Sequence, residues 1–255
     1  MWDGSGSVVG AVVGRGSLVV HVSRGGDGPL LVLLHGLGAT GSVWRGAAET
    51  WPGSWLAVDL PGHGRSAPLE RYSFESLAAA VAPVAPAGPV AVLGHSLGGV
   101  VALELAGGRF GVDVRAAGAV GVKLRWTPEE LSRAAALAAK PARVLPTREE
   151  AEGWAAKLAG VPLPDGVVEA PGGWRAALDP AAFGVGAPDV DGLLAAARCP
   201  VVLAAGAEDR MCPPEHLLAA DPGGIVLPGV GHNAHVEQPA SIKPVLERLH
   251  HALVA

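Results

Sequence analysis

Ser96 sits in the stretch Val92-Leu93-Gly94-His95-Ser96-Leu97-Gly98-Gly99, with a glycine two residues before it and another two after. That spacing suits a serine nucleophile. A tight turn from strand to helix leaves no room for Cβ atoms at the flanking positions and lifts the hydroxyl clear of the sheet. In a chain with 37 glycines the five-residue pattern alone carries little weight. Its setting carries more, because an apolar strand-like run (89–93) leads into it and a helical pattern (97–107) follows.

An unassisted alcohol is a weak nucleophile at neutral pH, so Ser96 needs a base, and the base needs a carboxylate to hold its tautomer. Among nine histidines, His232 in "GVGHNAHVEQP" follows the last apolar run and precedes the final helix. That places it at the C-terminal edge of a parallel sheet, where the serine turn also points. His235, three residues on, is the second candidate for the base. Asp209 in "VVLAAGAEDRMCP" directly follows a strand run and gives the chain order serine, acid, histidine. Its neighbour Glu208 reads as a solvated loop acid, since two adjacent loop carboxylates cannot both point inward. An acyl-transfer reaction also needs two donors for the oxyanion. The N–H of Leu97, at a helix N-terminus, is one. The N–H of Leu37, in the glycine-rich turn His35-Gly36-Leu37-Gly38, is the other.

Those residues require strands that end at one edge. Short apolar runs recur at 7–13, 17–22, 30–34, 55–60, 89–94, 116–121, 200–206 and 224–229. The first two alternate around "GRG" and predict an antiparallel hairpin. From Leu30 onward the runs are continuously apolar, as strands covered on both faces must be, and they alternate with helical patterns at 40–51, 73–82, 97–107, 213–220 and 238–253. The stretch 122–190 breaks this rhythm. It carries two capping boxes, at Thr127-Pro128-Glu129-Glu130 and Thr147-Arg148-Glu149-Glu150, holds Trp126, Trp154 and Trp174, and reads as a purely helical insertion.

The chain has 255 residues, 49% of them hydrophobic and 17% charged, with a mean hydropathy of +0.35, enough to bury a large single core. A net charge of −5 without a basic run gives nucleic acid no electrostatic footprint. No window is long and apolar enough for a spanning helix, and the first residues lack the pattern of an export signal. A soluble, cytoplasmic protein with no membrane partner is expected, and with it two reduced thiols at Cys199 and Cys212. No His/Cys/Asp cluster has metal-ligand spacing, so neither metal nor cofactor is expected.

Taken together, these residues resemble the α/β-hydrolase superfamily. "HGLG" (35–38) is similar to its oxyanion motif, "VDLPGHGRS" (58–66) to the loop after the following strand, "GHSLGG" (94–99) to its nucleophile turn, "GAEDRMCP" (206–213) to its acid loop and "GHNAHVEQP" (231–239) to its histidine loop. The resemblance implies an α/β fold with an eight-stranded, mostly parallel sheet whose second strand is antiparallel. It also implies a helical lid after strand six, so 1–121 and 191–255 form the core and 122–190 the lid. His63 and Arg65 then read as structural, and His95 as a packed core histidine.

The nucleophile narrows the chemistry. Dehalogenases and epoxide hydrolases of this fold need a carboxylate at the turn, which Ser96 excludes. Serine supports hydrolysis of esters, lactones or thioesters, and in related members C–C bond hydrolysis or cofactor-free perhydrolysis. Ester hydrolysis of a small, largely apolar molecule is the reading chosen. A ligand-binding protein that keeps the pocket without catalysis is the rival from another class. Trp44, Trp126 and Trp154 are candidates for the pocket wall. Lys123, Arg125 and Arg45 are placed near the cleft mouth, where they could meet a carboxylate or simply face solvent. The sequence leaves oligomeric state open.

Overall fold

The computed structural model describes residues 7–13 and 16–255, with side chains from Leu18 onward. Eight strands form one sheet: β1 (Ser7–Val13), β2 (Gly16–Gly25), β3 (Leu30–Leu34), β4 (Ser54–Val58), β5 (Pro89–His95), β6 (Asp113–Val120) and, beyond a long insertion, β9 (Val201–Gly206) and β10 (Ile225–Leu227). Their spatial order is β1-β2-β4-β3-β5-β6-β9-β10. β2 runs antiparallel to both β1 and β4, and every other pairing is parallel. The expected α/β-hydrolase sheet is therefore present. The first hairpin's turn, at residues 14 and 15, lies outside the described residues.

Strand alternation decides which helices cover which face. In β3 and β5, Leu31, Leu33, Ala91 and Leu93 point into a core with Trp44, Trp51, Leu246 and Leu249. That face is covered by α1 (Arg45–Thr50) and α9 (Lys243–Val254). Val32, Leu34, Val90 and Val92 point the other way, against Leu77, Val81, Val101 and Leu105 of α2 (Phe74–Val81) and α3 (Leu97–Ala106). Both faces being apolar explains why these strands are unbroken hydrophobic runs.

The insertion holds α4 (Pro128–Ala138) and α5 (Arg148–Ala159), and both predicted capping boxes form at Thr127 and Thr147. It is not purely helical. β7 (Val167–Ala170) and β8 (Gly173–Ala176) make a small antiparallel hairpin across Pro171-Gly172, and Trp174 of β8 bridges back to Leu145. The chain returns to the sheet through a 3-10 turn at Pro180–Val185 and α6 (Val190–Ala196). After β9 comes α7 (Pro214–Ala220), and after β10 the short α8 (Ala234–Glu237). Among the described residues no helix is long and apolar enough to cross a membrane.

Candidate active site

The turn after β5 forces Ser96 into φ 48°, ψ −112°, and it is the one non-glycine with positive φ among the described residues. Holding such a conformation costs on the order of 1–3 kcal/mol, so the surroundings must impose it. The Ser96 amide donates to the Val120 carbonyl of β6 (2.8 Å), and the Gly98 amide donates to the His35 carbonyl (3.1 Å). These bonds tie the turn to the strand on one side and the glycine-rich loop on the other. A Cβ on Gly94 would collide with the Gly98 carbonyl, which is why the turn needs its glycines.

Asp209 and His232 come from the loops after β9 and β10, and the structure pairs them. His232 Nδ1 lies 2.9 Å from Asp209 Oδ2, with the carboxylate side chain fully buried. Asp209 Oδ1 accepts from the amides of Met211 (2.8 Å) and Cys212 (3.0 Å). Burial pushes the Asp209 carboxyl up, but the His232 hydrogen bond and charge and these two amides outweigh it, holding the carboxyl below the usual range. An ionised Asp209 accepts from Nδ1–H and leaves Nε2 of His232 as the basic nitrogen. Glu208 is exposed, as expected.

Ser96 and His232 line one cavity of about 480 Å³, together with Leu37 and Leu97. Its apolar walls include Phe74, Val100, Trp126, Leu158, Phe183 and Met211. No hydrogen bond joins Ser96 Oγ to His232 among the described residues, a looseness common in unliganded sites. The amides of Leu37 and Leu97 likewise carry no hydrogen bond among the described residues.

The glycine-rich loop is pinned by His35. Its Nδ1–H donates to the Gly36 carbonyl (2.7 Å) and its Nε2 accepts the Leu60 amide (2.9 Å), and burial lowers its pKa. The second candidate base, His235, is fully buried with Nδ1 unpartnered and packs against Trp44 at 4.3 Å between ring centres. Burial and the neighbouring His232 and His35 push it down to about 3, and it does not line the Ser96 cavity. His63 is buried and Arg65 exposed in the loop after β4, and neither reaches the cavity.

Two tryptophan placements need correcting. Trp44 is fully buried in the core under α1 and is no pocket wall. Trp154 lines a neighbouring hollow of about 250 Å³ on the insertion, with Arg143 stacked over its ring. Trp126 alone of the three lines the cavity. Arg45 borders a separate cavity beside the paired His21 and Asp59 side chains, and Arg125 is exposed outside the cleft. Lys123 does line the cavity.

Two contributors escaped the sequence reading. His95, expected to be packing only, donates its Nε2–H to the His232 carbonyl (2.9 Å). Gly121, at φ 64°, is so close to the Asp209–His232 pair that a Cβ there would lie 3.2 Å from Asp209 Oδ2 and from His232 Nδ1. Its signal was a glycine immediately following an apolar run that ends at the same edge.

The sequence profile of the Alpha/beta hydrolase family matches residues 31–242, and the chain belongs to that family. Over 92 residues it is 48% identical to a pimeloyl-(acyl-carrier protein) methyl ester esterase of Aeromonas salmonicida, covering 34% of this chain and 35% of that protein. Over 87 residues it is 40% identical to a magnesium-chelatase 30 kDa subunit of Rhodobacter capsulatus, covering 31% of each. The match thus spans about a third of the length of these relatives. A thermophilic esterase from Thermogutta terrifontis superposes with a TM-score of 0.78 at 21% identity, covering 98% of this chain and 99% of its own. An E-2-(acetamidomethylene)succinate hydrolase gives 0.77 at 21% identity, covering 98% and 100%. At that identity the likeness is one of fold.

Proposed function

We propose that the chain is a serine hydrolase that cleaves carboxylic esters through an acyl-enzyme. The observation carrying this reading is that His232, hydrogen-bonded to the buried Asp209, lines the same apolar cavity as the strained Ser96. His232 Nε2 takes the Ser96 proton as Oγ attacks the ester carbonyl, and Asp209 holds the imidazole tautomer and offsets its developing charge. The Leu37 and Leu97 amides receive the oxyanion. His232 then protonates the leaving alcohol and activates the water that releases the acid and restores Ser96. Residues 122–190 serve as a lid, a reading supported by Trp126, Leu158 and Phe183 in the cavity wall. A cavity of about 480 Å³ fits a small acyl group.

Turnover of p-nitrophenyl acetate, butyrate and hexanoate tests the reading. Wild-type protein is expected to hydrolyse at least one, with Ser96→Ala and His232→Ala at background. A well-folded wild type that hydrolyses none of these and no other p-nitrophenyl ester overturns it.

A further inference from the structure

Lys123 and Lys157 are the lysines lining the cavity above Ser96, and no aspartate or glutamate lines it; Lys157 is exposed with its ammonium 6.0 Å from the Trp154 ring of the neighbouring hollow, which leaves Lys123 as the cation held at the cavity. This one-signed lining occurs in a chain of net charge −5. Lys123 leaves the sheet just after β6, and only 15% of its side chain is exposed. Its ammonium is held from two sides. Nζ lies 2.5 Å from Glu130 Oε1 and 5.1 Å from the centre of the Trp126 ring, whose Nε1 donates in turn to the Lys123 carbonyl (3.2 Å). Glu130 cannot swing away freely, because its other oxygen accepts the Thr127 amide (3.0 Å) in the capping box of α4.

An ammonium has three N–H donors. Glu130 takes one, and the other two have no hydrogen-bond acceptor among the described residues. A neutral apolar ligand filling the cavity would strip water from those donors without replacing it, at the cost of a buried unsatisfied group. A ligand ending in a carboxylate would supply the missing acceptor and a charge-assisted bond. The lysine is already held by Glu130 and Trp126, so little further ordering is needed on binding.

We propose that the substrate is an ester carrying a free carboxylate at its far end, such as a hemiester of a dicarboxylic acid, with Lys123 as the group that selects it. The proposal rests on the serine-hydrolase reading. The distal carboxylate takes no part in bond making: Ser96 Oγ bonds to the ester carbon, the alcohol leaves with the proton from His232, and water completes the cycle.

The test compares p-nitrophenyl hydrogen adipate with p-nitrophenyl hexanoate, which differ in that terminal group. The expected preference in kcat/KM for the hemiester is about tenfold or more. Lys123→Met should collapse the preference, Lys123→Arg should retain it, and Glu130→Gln, which removes the competing carboxylate, should increase it. A wild-type preference at or below one, with both esters hydrolysed, overturns the substrate class and leaves the hydrolase reading intact. So does a preference unchanged in a Lys123→Met protein that melts like wild type. Should that variant not fold, a preference that fails to rise in Glu130→Gln overturns it equally. Hydrolysis of neither ester overturns the substrate class, and hydrolysis of no p-nitrophenyl ester at all overturns both readings.

Discussion

His95 and His232 are joined by a hydrogen bond of 2.9 Å from the His95 Nε2–H to the His232 carbonyl, with their rings 4.7 Å apart between centres. The residue next to Ser96 in sequence thus holds the backbone of the residue facing it across the cavity. His95 is buried, and desolvation, reinforced by His235 and His232, lowers its pKa well below the ordinary value. Burial thus favours the neutral imidazole, with its proton on Nε2, the nitrogen that donates to the His232 carbonyl.

Replacing His95 with Phe removes that donor and frees the His232 loop. The expected result is a fall in kcat of about ten- to a hundredfold with a smaller change in KM, since misplacing His232, the proposed base, affects the chemical step. His95→Gln, which can offer an N–H, should recover part of the loss. Equal losses in both variants would contradict the positioning role.

Asp209→Asn keeps an oxygen for the Met211 and Cys212 amides but favours the wrong His232 tautomer. If Asp209 orients His232 as proposed, a fall in kcat on the order of ten-thousand-fold is expected, the loss seen when the orienting carboxylate of a serine triad is replaced. Steady-state kinetics with thermal melting checks it, and a variant within tenfold of wild type would remove Asp209 from the mechanism.

The tryptophans separate stability from binding. Trp44→Ala empties a fully buried site and should cost about 3–5 kcal/mol in urea unfolding. Trp126→Ala lies in the cavity wall and should cost less stability while raising KM for the preferred ester. Reversal of that pattern would contradict the placement of either ring.

Acid stability follows from the buried imidazoles. His63 and His235 are pushed down to about 3, chiefly by burial, and burial also lowers His35 and His95. An unfolded chain protonates these groups near pH 6.5. The stability they contribute is therefore complete above that pH and is lost as pH falls toward their folded values. Asp59 and Asp209, both held low, add a further loss below about pH 4. His235→Phe should reduce the pH slope of unfolding free energy between pH 6 and 4 by about one bound proton. A slope identical to wild type would show that His235 is not held neutral.

The sequence made the parallel strands legible because burial on both faces leaves unbroken apolar runs, and it made the acid and histidine loops legible because each directly follows such a run. The β7–β8 hairpin was hidden. Its strands are four residues each, and Gly173-Trp174-Arg175-Ala176 has little β-forming character of its own. Pairing with Val167–Ala170 and the bridge to Leu145 supply the order instead. The Pro171-Gly172 turn was the available cue. Trp44 and Trp154 were misplaced because a tryptophan beside a cleft-forming loop reads the same whether its ring turns toward core or cavity. His95 gained its second role through the His232 main chain, a partner 137 residues away that no local pattern reports.

The most direct measurement is covalent labelling of Ser96. Incubated with a fluorophosphonate, wild-type protein should gain one adduct by intact mass, mapped to the peptide containing Ser96. Ser96→Ala should gain none, and Asp209→Asn should label far more slowly. An unmodified, folded wild type, or an adduct mapped to another residue and kept in Ser96→Ala, would contradict Ser96 as the nucleophile.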